Sequence, residues 1–233
     1  YNELSDQIEL HGVPPHTTTT NAAAVRVREW MLAHHSFNVS KDDVHDWLED
    51  YAWRNRYHPV LNYLDNLPPH DGVLRLDNWL TTYLGVRPDP FVQAIGRIFL
   101  IAAVRRVRSP GCKFDEMLLL EGPQGSLKST AIRTLVPDPR WVSDDVPLGA
   151  PSKLVIEQTI GKWLIEAAEL IGMNQAGVDD LKNFLSRPSD QARMAYERRP
   201  IERPRQFVVF GTTNKKIYLE DSTGNRRYWP VLV

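Results

Sequence analysis

The spacing of apolar and polar positions changes character once along the chain. From about residue 20 to 108, apolar residues recur at three- and four-residue intervals, the period of a helix face. Val25, Val27, Trp30, Met31 and His34 predict an amphipathic helix opening near Asn21. Ser40 followed by Asp43 has capping-box spacing, with Asp in place of the usual Glu or Gln. The helix it opens runs to about Arg54, with Val44, Trp47, Leu48, Tyr51 and Ala52 inward, and His58-Pro59 breaks it. Shorter helices at about 59–66 and 76–84 and a longer one at about 89–107 complete an all-helical N-terminal module, 21–110. Trp30, Trp47, Trp53 and Trp79 fall at helical spacing and are expected in its core. Residues 1–20, with His11-Gly12-Val13-Pro14-Pro15 and a run of Thr, read as a flexible lead-in.

After Ser109-Pro110-Gly111 the texture becomes α/β. Met117-Leu118-Leu119-Leu120 is a short apolar run ending at a glycine-rich turn, as a buried parallel strand would be. Further strands are predicted at about 162–167, 206–211 and 228–233, with helices at about 129–135 and 177–186. Strands alternating with helices argue for a mostly parallel sheet flanked by helices, over 111–233.

Composition narrows the chemistry. Hydrophobic residues are 42% and charged residues 24%, which excludes wholesale disorder. Cys112 is the only cysteine, so an internal disulfide framework and a multi-cysteine zinc site are excluded. With no apolar run near 18 residues and no signal-peptide pattern, the expectation is a soluble protein of the cytoplasm. The chain starts at Tyr1 and stops after an apolar run, so a piece of a longer protein is expected. All 7 His lie within the first 70 residues, which leaves none in the second half for metal binding or general-base work. The net charge is −1, and the densest basic cluster is 187–205, with six Arg against Asp190, Glu197 and Glu202.

Gly122-Pro123-Gln124-Gly125-Ser126-Leu127-Lys128-Ser129-Thr130 sits between a predicted strand and a predicted helix. A phosphate loop needs small residues that let backbone N–H groups face phosphate oxygens. It also needs a Lys to reach the β and γ oxygens and a hydroxyl for Mg²⁺. Gly122, Lys128 and Ser129 hold those positions, so the nine residues are the expected nucleotide site. Leu127 stands where the second Gly belongs, and its Cβ is expected to crowd the loop. Gly125 is the expected source of flexibility.

That loop, with Gly161-Lys-Trp-Leu-Ile-Glu-Ala-Ala-Glu-Leu170 and Gly211-Thr-Thr-Asn214 … Asp221-Ser-Thr-Gly-Asn-Arg-Arg-Tyr-Trp-Pro230, resembles the virulence-associated protein E family. These are phage- and prophage-linked P-loop ATPases similar to superfamily 3 helicases of the AAA+ class. Tyr57-His-Pro-Val, Tyr63-Leu-Asp, Asp71-Gly-Val, Leu76-Asp-Asn-Trp and Cys112-Lys-Phe-Asp resemble it as well, and the likeness covers about 57–233.

The resemblance implies a P-loop NTPase fold and MgATP as ligand, with Mg²⁺ held by Ser129 and Glu166. It implies that Glu166 and Glu169 share the metal and water-activating work, with the division between them open, and that Asn214 orients the water. Arg226 or Arg227 would act as an arginine finger in a neighbouring subunit, which implies a homo-oligomeric ring, a hexamer by analogy. A hairpin in 187–205 would grip single-stranded DNA through Arg193, Tyr196, Arg198, Arg199, Arg203 and Arg205. The expected activity is a helicase-like replication ATPase of a phage or mobile element, in a bacterial host. The alternative is a P-loop ATPase switch or assembly factor that binds a protein partner. A small-molecule kinase is disfavoured, since no phosphoacceptor or lid motif is evident.

Overall fold

Ser40 and Asp43 do form a capping box. Asp43 N donates to Ser40 Oγ at 3.0 Å and Ser40 N donates back to Asp43 Oδ2 at 3.3 Å. Two N–H groups that a helix start leaves unpaired are thereby satisfied. The computed structural model describes residues 1–9, 20–145, 150–167, 175–193, 200–214 and 225–233. The chain divides into two compact units, Tyr1–Leu67 and Pro68–Val233.

In the first unit, helices α1 (Thr20–His35) and α2 (Lys41–Arg54) meet through Ala24, Val39 and Val44, flanked by Val27, Met31 and Leu48. Helix α3 (Pro59–Asp65) starts at Pro59, where a missing N–H costs nothing, and His58 Nδ1 accepts from Leu61 N at 3.2 Å. The expected inward face needs correction. Trp47 and Tyr51 are 48% and 69% exposed, and Val25, Trp30 and Trp53 are exposed too. The seam is built from small and branched side chains, so the aromatics lie outside it. Of the four Trp expected in a core, only Trp79 is buried, and it belongs to the second unit.

The compact units part at residue 67, earlier than the break expected near 110. Helices α4 (Trp79–Leu84) and α5 (Pro90–Arg108) therefore go with the sheet. Helix α5 buries Ile95, Phe99, Ala102, Ala103 and Val107, and Trp163 Nε1 donates to the Ala103 carbonyl at 2.8 Å.

The remaining elements run in order: β1 (Met117–Glu121), α6 (Lys128–Arg133), β2 (Val142–Ser143), α7 (Ser152–Thr159), β3 (Leu164–Ala167), α8 (Gln175–Ser186), β4 (Ser189–Ala192), β5 (Ile201–Pro204), β6 (Val208–Thr213) and β7 (Tyr228–Leu232). Five strands form a parallel sheet in the order β2-β3-β6-β1-β7. β1 lies between β6 and β7, with Leu118 level with Phe210 and Trp229. Met117 to Leu120 are all 0% exposed, which is why they read as an unbroken apolar run. Each contributes about 1.5–3 kcal/mol of burial. One face packs Met117, Leu119, Ile165 and Val209 against Leu181, Phe184 and Phe207. Pro230 is tolerated because β7 is an edge strand. The sequence did not predict β2 and α7. β4 and β5 pair antiparallel as a separate hairpin, with Ser189 opposite Pro204 and Ala192 opposite Ile201. No helix among the described residues is long and apolar enough to cross a membrane.

Candidate functional site

The loop after β1 is pinned on both sides. Gly122 N donates to the Thr213 carbonyl at 3.1 Å, and Val233 N donates to the Glu121 carbonyl at 2.7 Å. A Cβ on Gly122 would lie 2.6 Å from the Val233 carbonyl oxygen, so no side chain fits there. Gly125 has φ +83°. Leu127 is itself left-handed, at φ 57° and ψ 25°. It therefore holds a left-handed conformation that glycine adopts at no steric cost. Its side chain is 69% exposed, so the expected crowding gives way to backbone strain.

Lys128 opens α6 and is buried, with its amine turned beneath the loop. Nζ donates to the carbonyls of Gly122 at 2.9 Å and Pro123 at 2.8 Å, to Ser126 Oγ at 3.3 Å and to Asn214 Oδ1 at 3.1 Å. Asn214 directly follows β6, so the sheet joins two residues 86 positions apart. Pro123, Gln124, Gly125 and Thr130 are exposed.

Glu166 on β3 is 2% exposed and well supplied with donors. Ser129 Oγ and Thr212 Oγ1 both donate to Oε1, the latter at 2.9 Å. Arg133 Nη2 donates to Oε2 at 3.1 Å and to Asp144 Oδ2 at 3.0 Å. The hydrogen bond to Asp144, then that to Glu166, raises the Arg133 guanidinium above its usual range, and Arg133 holds the Asp144 carboxyl below its own. Arg133, Thr212 and Asp144 were absent from the sequence reading. Arg133 lies four residues after Ser129, one turn on along the same helix face, and that spacing was the available signal.

A hydroxyl and one carboxylate at a shared hydrogen bond suit Mg²⁺, which keeps waters and takes phosphate oxygens for the remainder. Among the described residues no group of three His, Cys, Asp or Glu could hold a metal alone. Ser129 and Glu166 thus fit the expected metal. Glu169 lies outside the described residues.

The structure does not bring Arg226 and Arg227 to this site. They form a 3-10 turn just before β7, and Tyr228 is level with Met117 at the start of β1. That is the opposite end of the strand from Gly122, roughly 15 Å away at about 3.3 Å per residue. Arg226 is exposed; Arg227 is half-buried, and its Nε has no hydrogen-bond partner among the described residues.

The basic segment forms the expected hairpin, with Tyr196, Arg198 and Arg199 outside the described residues. Arg193 is exposed after β4, while Arg203 on β5 is half-buried and burial lowers its guanidinium. Arg205 corrects the expectation of a DNA contact. It is 3% exposed and bidentate with Asp190, at 2.6 and 2.7 Å. It also donates to the Phe184 carbonyl and lies 4.4 Å from the Phe184 ring centroid. A guanidinium so enclosed cannot reach a phosphate backbone.

Comparison with curated proteins gives no match. Among solved structures, the A-form apo structure of the NrS-1 C-terminal region is similar at a TM-score of 0.46 and 12% identity, over 72% of this chain and 40% of that one. An apo structure of the same region, 305–718, gives the same values. The chain thus spans less than half the length of those solved chains. Residues 64–233 match the virulence-associated protein E-like domain, well over half of the sequence, and the chain belongs to that family.

Proposed function

We propose that the second unit is a Mg²⁺-dependent ATPase of helicase type, acting on single-stranded DNA in the replication of a phage or mobile element. One observation carries this reading. Two adjacent residues, Lys128 and Ser129, hydrogen-bond to Asn214 just after β6 and to Glu166 on β3 respectively, toward the carboxyl end of a parallel sheet. Open parallel sheets take their ligands at that end.

In this reading Lys128 leaves Pro123 and Ser126 for the β and γ oxygens of ATP, while Gly122 and Gly125 let the backbone approach them. Ser129 turns its proton away from Glu166, and both oxygens face the metal. Bound there, Mg²⁺ would neutralise charge on the β and γ oxygens. Asn214 and Glu169 orient the attacking water. Its oxygen bonds to the γ phosphorus as the bond to the bridging oxygen breaks, leaving ADP, phosphate and a proton. Arg226 or Arg227 completes the site from a neighbouring copy, because within one chain both lie at the far end of β1. The hairpin meets DNA through Arg193, Tyr196, Arg198, Arg199 and Arg203.

The test is ATP hydrolysis with and without single-stranded DNA, for the parent chain and Lys128→Ala. Turnover that DNA stimulates and Lys128→Ala abolishes is expected. Equal turnover by both proteins refutes the site. Turnover indifferent to DNA, with a folded protein, favours the ATPase switch that binds a protein partner.

A further inference from the structure

Glu166 has a donor that the proposed roles of Ser129 and Lys128 leave unused. At 2% exposure its carboxylate is cut off from water, and a buried charge must be paired. Lys128 does not pair it, since that amine is committed to Gly122, Pro123, Ser126 and Asn214. Arg133 does, at 3.1 Å. The two carboxylate oxygens are thereby distinguished. Oε1 takes the hydroxyls of Ser129 and Thr212, whereas Oε2 takes the guanidinium.

Arg133 is itself held. Its Nη2 also bonds Asp144, just beyond β2, so the guanidinium is tethered between two carboxylates. Asp144 is 68% exposed, and an exposed ion pair alone contributes little to stability. What the tether does is fix a planar donor behind Glu166. Arg133 and Ser129 sit one turn apart on α6, so the helix that carries the candidate metal hydroxyl also carries the group that aims the carboxylate.

We propose that Arg133 is a positioning residue for the metal site: it locks Oε2 of Glu166 so that Oε1 alone is presented, with the Ser129 hydroxyl, to the Mg²⁺ of MgATP. This rests on the nucleotide-site reading above. Arg133 touches no phosphate in this arrangement. Its loss should remove the benefit of Mg²⁺ and spare the metal-free affinity.

The experiment titrates a fluorescent ATP analogue into the full chain, in Mg²⁺ and in EDTA, for the parent, Arg133→Ala, Arg133→Lys and Asp144→Asn. The parent is expected to bind more tightly in Mg²⁺. Arg133→Ala should lose about tenfold or more of that gain, as loss of an outer partner of a metal ligand commonly does. Its EDTA affinity should stay within about twofold. Arg133→Lys should recover part of the gain, because an ammonium restores charge without the planar fork. Asp144→Asn should lose less than Arg133→Ala, because it acts through Arg133. Melting curves accompany each variant, and Arg133→Gln replaces Arg133→Ala if the latter does not fold. A folded Arg133→Ala or Arg133→Gln that keeps the full Mg²⁺ gain overturns the proposal. So does an equal loss in Mg²⁺ and EDTA, which would make Arg133 a general support of the loop. A parent chain that binds nucleotide in neither buffer overturns the nucleotide-site reading, and this proposal with it.

Discussion

Leu127→Gly should stabilise the second unit, and the reason is backbone strain. Leu127 sits at φ 57° and ψ 25°, where a Cβ crowds the following carbonyl. A non-glycine residue there costs about 1–2 kcal/mol. Glycine removes that cost but adds about 0.5–1 kcal/mol of lost backbone freedom. The side chain is 69% exposed, so little burial is given up. At the middle of both ranges the balance is a gain of about 0.75 kcal/mol, or roughly 1.5–3 °C in Tm for a unit of this size. Leu127→Ala is the decisive control. It removes the same exposed side chain but keeps the Cβ, so it should give no gain. Urea and thermal unfolding of the parent, Leu127→Gly and Leu127→Ala measure the difference. If Ala stabilises as much as Gly, the side chain and not φ was at fault. If Gly gains nothing, the loop does not hold the left-handed conformation.

Four further outcomes are expected. Mixing Lys128→Ala subunits with Arg226→Ala or Arg227→Ala subunits should restore hydrolysis that neither shows alone; full activity from a demonstrated monomer refutes a finger acting in trans. Arg205→Ala should lose about 3–5 kcal/mol in urea unfolding, because it strips buried Asp190 of its bidentate partner and leaves it Arg187 at 3.8 Å; a loss below 1 kcal/mol refutes that. Burial pushes the Tyr228 hydroxyl up to about 12 from its usual 10, so the unfolded chain ionises first and stability should fall as pH rises from 10 to 12. Tyr228→Phe should remove that fall at no cost near neutral pH, since the hydroxyl has no hydrogen-bond partner among the described residues. Replacing Arg198 and Arg199 by Ala should weaken DNA binding across sequences and flatten its salt dependence by roughly one to two contacts; normal binding with lost hydrolysis would assign them to a subunit interface.

The candidate site was legible where chemistry forces residue type and order. Gly122, Lys128 and Ser129 have the types and spacing that a phosphate loop needs, which singles out the turn between β1 and α6 as the candidate, and Met117 to Leu120 announce the strand before it. Long-range pairings were not legible. Thr212 reads as one more β-branched residue in an apolar strand, and its hydroxyl matters only because β6 lies beside β3. Arg133 reads as a helix-end cation until the sheet brings Glu166 to it. Strand β2 escaped notice because two residues carry no period. The aromatics of α1 and α2 misled because helical spacing says which residues share a face, not which face another element covers. Arg205 misled for a related reason. Six Arg in one segment look like a surface patch, and only the fold shows that one of them fills a slot between Asp190, Phe184 and Phe207.

Burying Arg205 follows from what β6 joins. Arg205 lies three residues before the strand and is tied to Asp190 on β4 and to the end of α8. Its backbone N also donates to the Pro188 carbonyl at 2.9 Å, and its carbonyl accepts from Gly111 N at 2.9 Å. Asn214 lies immediately past the other end of the strand, bonded to Lys128. Between them Val208 to Thr213 are buried throughout and paired on both sides, with β3 and with β1. A close-packed interior of that kind has low compressibility and transmits strain. The base of the hairpin and the amide beside the candidate catalytic lysine are thus the two ends of one rigid element. An arginine free to seek phosphate could not anchor the first end. Arg205 therefore holds the base of the hairpin and is itself withheld from any ligand.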